Sequence, residues 1–272
     1  MTQSASNRPI PKLADVAERA QVSTATVSRC LNNPEQVVAE TRERVMPAVR
    51  ELGNAPNISA RALAARQTNT VGAVIPTMEN AVFARGLQAF QEELGRHGKT
   101  LLVASSAYSP ALEDEQVRAL VAGGADALFL IGYDRSPDLY DFLEARRVPA
   151  LVTWSFSATE RRPAVGFDNR KAMAELARLA LDQGHRHIGC ITAPVATNDR
   201  ARGRVQGIQD ALHEAGIDRG SLPIIETPYG IENGETAFRE LMAVADHTTA
   251  IMCANDVQAV GALRAARDLG LK

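Results

Sequence analysis

"KLADVAERAQVSTATVSRCLN", residues 12–32, holds two short apolar patterns with almost nothing between them. Leu13, Val16, Ala17 and Ala20 fall at i, i+3, i+4 and i+7, which is one face of a helix. After Gln21 and Val22, Ser23 has the chemistry of an N-cap, and a second helix is predicted through Leu31 with Val22, Val27 and Leu31 turned inward. Its other side carries Thr24, Ala25 and Arg29, side chains too short or too polar to build a core. Two helices joined by so tight a turn have helix-turn-helix proportions, in which the second helix enters a major groove. Thr24, Ala25 and Arg29 then face base edges or a thymine methyl, while Ser23, Thr26 and Ser28 are candidates for phosphates. On spacing alone the alternative stays open that Ser23 only caps an ordinary helix and Arg29 is a solvated charge.

Moving outward, "ETRERVMPAVREL" repeats the helical spacing at Val45, Ala48, Val49 and Leu52. Three helices this short are unstable without mutual packing. Pro47 predicts a kink or an early break in the third, since an interior proline removes one backbone bond. "NAPNISARALAARQTN", 54–69, is rich in small residues and reads as a linker. From Thr70 the pattern changes to apolar runs alternating with amphipathic stretches. The strand candidates are "TVGAVI" (70–75), "TLLVAS" (100–105), "ALFLI" (127–131), "ALVTW" (150–154), "HIGCIT" (187–192), "PIIET" (223–227) and "AIMCA" (250–254). Such alternation implies doubly wound parallel sheets, covered on both faces, whose ligands sit outside the carboxyl ends of the strands.

Charge separates the same two parts. The formal net charge is −2, but residues 1–67 carry 9 basic and 6 acidic side chains, +3, leaving −5 on the remainder. Only the N-terminal part is suited to phosphate. Cys30, Cys190 and Cys253 have no C-x-x-C spacing, so neither a zinc site nor a disulfide framework is indicated. No apolar run is long enough for a signal sequence or a membrane span, which points to the cytoplasm and to no membrane partner. His185 and His187 of "GHRH" sit at i and i+2 entering a strand and point to opposite sides, so they make no metal or catalytic pair. Dinucleotide, phosphate-loop, zinc-protease and nucleophile-elbow motifs are absent, so neither an enzyme nor a cofactor is expected.

The residues from "KLADVAERAQVSTATVSRCLN" through "TRERV" and "NAPNISARALA", with "AVGFDN", "QGHRHIGCITAP" and "MCANDVQAVGALRAARDLGL", resemble the LacI/GalR (lactose-repressor/galactose-repressor) family of bacterial transcription regulators over nearly the whole chain. The resemblance implies an all-α headpiece at 1–55 and a hinge helix at 56–69. A periplasmic-binding-protein-like core follows at 70–272, made of two α/β subdomains at 70–166 and 167–272. It implies that Thr24 and Ala25 choose the operator, that Arg29 belongs to the "TVSR" motif, and that Asn57, Ala60 and Leu63 lie on a hinge helix that wedges a leucine into the minor groove. Without it, Leu63 would read as core. A small-molecule effector is then expected between the subdomains, against Phe83, Tyr108 and Trp154 on one side and Asp168, Arg204 and Asn255 on the other. Taken singly, Trp154 also fits a core, Asp168 a helix cap and Arg204 a surface charge.

The pattern is departed from at Gln21, where the family turn usually has glycine, at Ala39 in place of a capping serine, at Pro47, and at Asn54 in place of a tyrosine. "ALRAARDLGLK" ends on a helical pattern where the family continues with further strands, so the core reads as truncated at its C-terminus. The expected function is that of a nucleoid-associated, sequence-specific repressor of a carbohydrate or sugar-acid operon. It would act as a homodimer or a higher oligomer on a pseudo-palindromic operator under control of the effector. "NPEQV", "VGFDN" and "GHRHI" lean toward gluconate-type members.

Overall fold

The computed structural model describes residues 12–32, 34–52 and 68–271. The chain divides into two compact units, one reaching Thr68 and one starting at Asn69. In the first, α1 (Leu13–Ala20), α2 (Thr24–Asn32) and α3 (Ala39–Glu51) surround one small core. Val16, Ala17, Ala20, Val27, Cys30, Val45, Ala48 and Val49 are buried in it, and Leu13, Val22, Leu31, Val37 and Leu52 close its rim. At the start of α1 the Asp15 carboxylate accepts the Lys12 amide at 2.6 Å, while Ser23 Oγ accepts the Thr26 amide at 3.1 Å to start α2.

The third helix does not break early. Pro47 stands inside it, and the helix runs on to Glu51 without a break. One missing bond is outweighed here because Val45 before the proline and Ala48 and Val49 after it are all anchored in the same core. The helix starts on Val38, which gives no side-chain cap.

The second unit holds two parallel sheets. The first is built from β1 (Thr70–Ile75), β2 (Thr100–Ser105), β3 (Ala127–Ile131), β4 (Ala150–Thr153) and β5 (Ala164–Val165), in the order β2-β1-β3-β4-β5. The second is built from β6 (Ile188–Thr192), β7 (Ile224–Glu226) and β8 (Ala250–Cys253), in the order β7-β6-β8. The seven strand candidates all form strands. The run at 150–154 stops at Thr153 because Trp154 adopts φ 57, in the left-handed region. The short β5 inside "AVGFDN" was not expected, since a two-residue strand leaves no periodicity to read. On β2, Leu102 and Val103 remain exposed, unlike the covered strands expected, because it is an edge strand.

Alternation along β3 shows how the first sheet is covered. Leu128 and Leu130 face one cluster with Val117, Leu139 and Leu143, while Phe129 and Ile131 face another with Phe83 and Leu87. The helices involved are α4 (Ala81–Arg96), α5 (Pro110–Ala122) and α6 (Pro137–Arg146). The second sheet is covered by α7 (Asn169–Asp182) and α8 (Asp199–Glu214) on one face and by α9 (Ile231–Val244) and α10 (Asp256–Asp268) on the other. In both sheets the second strand in sequence lies on one side of the first and the third strand on the other. The loops after those first strands therefore diverge and leave a crevice at the carboxyl ends.

Candidate functional site

In the headpiece, α2 has two unlike faces. Val27 and Cys30 are buried, whereas Thr24, Ala25 and Arg29 are exposed and Thr26 and Ser28 are half-buried. Ser23 and Thr26 pair their hydroxyls at 2.9 Å while Ser23 also accepts the Thr26 amide. Two hydroxyls share one mutual bond, so the pair keeps one O–H to donate outward. Among the described residues Arg29 has no ion-pair partner, so its guanidinium is open to an incoming acceptor. Asn57, Ala60 and Leu63 lie outside the described residues.

In the core, the carboxyl ends of the two sheets face one another across a cleft of about 700 Å³. Its walls come from residues within 76–82 after β1, 105–108 at the end of β2, 193–198 after β6, 228–231 after β7, and Asp256 and Val257 after β8. Asn80, Asn198 and Asn255 each cap the helix that starts beside it, so those strand-to-helix turns are held by side-chain bonds. Ala107 and Tyr108 adopt φ 48 and 59 in succession, left-handed conformations that cost non-glycine residues energy and turn the tyrosine toward the opposite wall. There its ring meets Tyr229 at 5.6 Å between centroids. Burial, and then the neighbouring Tyr229, push the Tyr108 phenol above its ordinary range, so it stays a neutral hydrogen-bonding group.

Of the six residues expected to hold an effector, Tyr108 lines this cleft. Phe83 is buried in the core of the first sheet, and Trp154 packs edge-on against Phe83 and Phe129 at 5.3 and 5.8 Å. Asp168 accepts the amides of Arg170 and Lys171 at 3.0 Å and caps α7. Asn255 accepts from Val257 at 2.7 Å and caps α10 at the cleft margin. Arg204 lies behind the wall, donating to Asn169 Oδ1 at 2.9 Å and to the Ala254 carbonyl at 2.6 Å. Burial lowers its pKa, and the nearby Tyr229 oxygen partly offsets that.

Sequence reasoning missed Tyr229, Asn198 and Glu79. The available signal was position: each lies within six residues of the end of a strand candidate. It also missed the contacts that join the two sheets' loops. The Tyr133 amide donates to Asp199 Oδ2 at 2.8 Å, and both terminal nitrogens of Arg202 reach Asp134 Oδ2 at 3.1 Å. Gly132, at φ 70, lies so close to the Asp199 and Arg200 side chains that a Cβ would collide with them. His185 bonds to Thr249 and His187 stacks edge-on with His247; among the described residues no group of three metal-ligating side chains forms.

A helix-turn-helix with an open polar face, followed by two parallel sheets facing across a cleft, is the arrangement that the comparisons match. Residues 12–57 fit the model of the lacI family of bacterial regulatory proteins, and residues 68–272 fit that of the periplasmic binding proteins and sugar binding domain of the LacI family. The chain belongs to the LacI family. It is similar to the HTH-type transcriptional regulator GntR of Escherichia coli (strain K12), 30% identical over 96% of this chain and 78% of that protein. It is also similar to the HTH-type transcriptional repressor CytR of the same strain, 32% identical over 96% of this chain and 76% of that protein. A solved LacI-family regulator from Silicibacter pomeroyi, 27% identical, superposes with a TM-score of 0.86 over 96% of this chain and 79% of that one. As a LacI-family member the chain is a DNA-binding transcription regulator with an effector-binding core. No described helix is long and apolar enough to cross a membrane.

Proposed function

We propose that this LacI-family chain is a cytoplasmic repressor that reads its operator with α2 as a homodimer and releases or grips it according to a ligand in the core cleft. The observation that carries the reading is the division of α2: Val27 and Cys30 are committed to the core, so Thr24, Ala25 and Arg29 are free to address a groove. A two-fold dimer sets two such helices against successive major grooves of a pseudo-palindrome. Thr24 and Ala25 read bases, Arg29 donates to a guanine edge or phosphate, and Ser23, Thr26 and Ser28 position the backbone, with Asn57, Ala60 and Leu63 acting in the minor groove.

For the ligand, the cleft favours an uncharged ring-bearing polyol, a sugar or a nucleoside, over a sugar acid. Among the described residues its walls include the carboxylates of Glu79 and Asp256 and no lysine or arginine, so a carboxylate ligand would meet like charge there. Tyr108 and Tyr229 offer rings to stack on and hydroxyls to bond.

Footprinting on the DNA flanking the protein's own gene tests the first part. Protection of a pseudo-palindrome is expected, and Arg29→Ala is expected to weaken binding to it roughly tenfold to a hundredfold with an unchanged melting temperature. Failure to retain any of that DNA at low salt would refute the repressor reading. A thermal-shift screen of sugars, nucleosides and sugar acids tests the second, since a ligand specific to the native state raises the melting temperature by mass action.

A further inference from the structure

The turn between α1 and α2 rests on Gln21, at φ 53 and ψ 48. In that left-handed region a Cβ crowds its own backbone, and glycine is the residue at ease. The carbonyls of Ala20 and Gln21, at the end of α1, have no later turn of helix to bond them. One group takes both. Nη2 of Arg44, on α3, donates to the Ala20 oxygen at 2.8 Å and to the Gln21 oxygen at 2.9 Å. A second tie between the same two helices, Arg19 to Glu51 at 2.9 Å, is open to water on both sides and contributes little. The first residue of α2, Thr24, follows three positions after Gln21, so the dihedral angles at Gln21, with those of Val22 and Ser23, set the direction in which α2 leaves α1.

We propose that Arg44 is a positioning residue for operator reading. It fastens the left-handed turn at Gln21 from the third helix, and thereby fixes the angle at which α2 presents Thr24, Ala25 and Arg29. The inference rests on α2 being the reading helix. Arg44 itself need not touch DNA: its role is the work that a glycine at position 21 would make unnecessary. Charge-assisted donation to two carbonyls of one turn suits this, because it opposes the relaxation of Gln21 toward an ordinary helical or extended conformation.

The test uses the full chain and a duplex that the wild-type protein enriches from a random-sequence pool. Affinities for that duplex and for a shuffled duplex of the same composition are measured over a range of salt for wild type, Arg44→Met, Arg44→Lys, Gln21→Gly and the Gln21→Gly/Arg44→Met double variant. Arg44→Met is expected to weaken the selected duplex about tenfold while changing the shuffled one little, with the same salt dependence. Arg44→Lys retains most of the affinity, because a single nitrogen serves both carbonyls. Gln21→Gly restores the Arg44→Met protein to within about threefold of wild type. Equal weakening of both duplexes, with a salt slope shallower by about one, would mean that Arg44 meets a phosphate and would overturn the proposal. So would a double variant no better than Arg44→Met. If Arg44→Met does not fold, Arg44→Lys and the double variant still decide it. A wild-type chain that enriches no duplex sinks both this inference and the reading of α2 beneath it.

Discussion

The headpiece and the core make their functional surfaces in opposite ways. In the headpiece one helix has both surfaces: the side of α2 that carries Val27 and Cys30 builds the core, and the side that carries Thr24, Ala25 and Arg29 is left exposed, where we propose it reads DNA. In the core the two jobs fall to different parts of the elements. The buried strand and helix faces are spent on packing, and the cleft is made from the turns that follow β1, β2, β6, β7 and β8 and from the element ends that adjoin them. A surface made on one helix is cheap in residues but rests on a thin foundation, here buried valines, alanines and one cysteine. A surface made from loop ends rests on large cores and depends on caps such as Asn80, Asn198 and Asn255 to hold the loops in place.

Three perturbations sharpen that contrast, in falling order of effect. Leu130→Ala opens a cavity in a fully buried strand position of the first sheet and is expected to cost about 3 kcal/mol. Denaturant unfolding followed by Trp154, the only tryptophan in the chain, reads that loss directly. If the two surfaces are independently founded, affinity for operator DNA in buffer changes little. Val27→Ala removes less, about 2 kcal/mol, but from the smaller core. Operator binding is expected to fail at a temperature at which Trp154 fluorescence is still native. Simultaneous loss of both signals would break the contrast.

The third perturbation is pH, read at two buried thiols of the core. Burial pushes the Cys190 thiol up to about 12 and that of Cys253 up to about 11, both above the ordinary value of 9.0. Each folded thiol thus keeps its proton where the unfolded chain gives it up, so the unfolded state binds fewer protons and stability falls as pH rises from about 9 to about 12. The melting temperature is expected to drop across that window, and a Cys190→Ala/Cys253→Ala double variant flattens the drop. An unchanged slope in that variant would place the titration elsewhere.

How much of this was legible follows from the same contrast. The headpiece surface could be read because a helix has one period: once Val16, Ala17 and Ala20 and then Val27 fix the inner side, the outer side follows within the same residues. Strands were legible as apolar runs, and their ends pointed to where a ligand would sit. The cleft residues were less so. Phe83 and Trp154 have the chemistry of a ligand contact, but an aromatic ring gains as much from a core, and they pack edge-on against each other there. Asp168 and Asn255 look like ligand groups and serve as caps, because a carboxylate or amide one residue ahead of a helix is the nearest acceptor for its free amides. Of the kink or early break expected at Pro47, the break does not occur, for the converse reason: three neighbours anchored in the core hold the helix together.

What the sequence determined by itself is everything that depends on neighbours along the chain: three amphipathic helices, the strand runs, the basic character of the N-terminal part and the two faces of α2. Tertiary structure alone decided which distant turns meet. It brought Tyr229 onto Tyr108, Asp199 onto the Tyr133 amide, Arg202 onto Asp134 and Arg44 onto the end of α1. Periodicity records which side of an element is buried, because burial repeats with the helix or strand. It carries no record of a single hydrogen bond or ring contact between residues far apart in the chain, since that depends on where packing sets the ends of two elements.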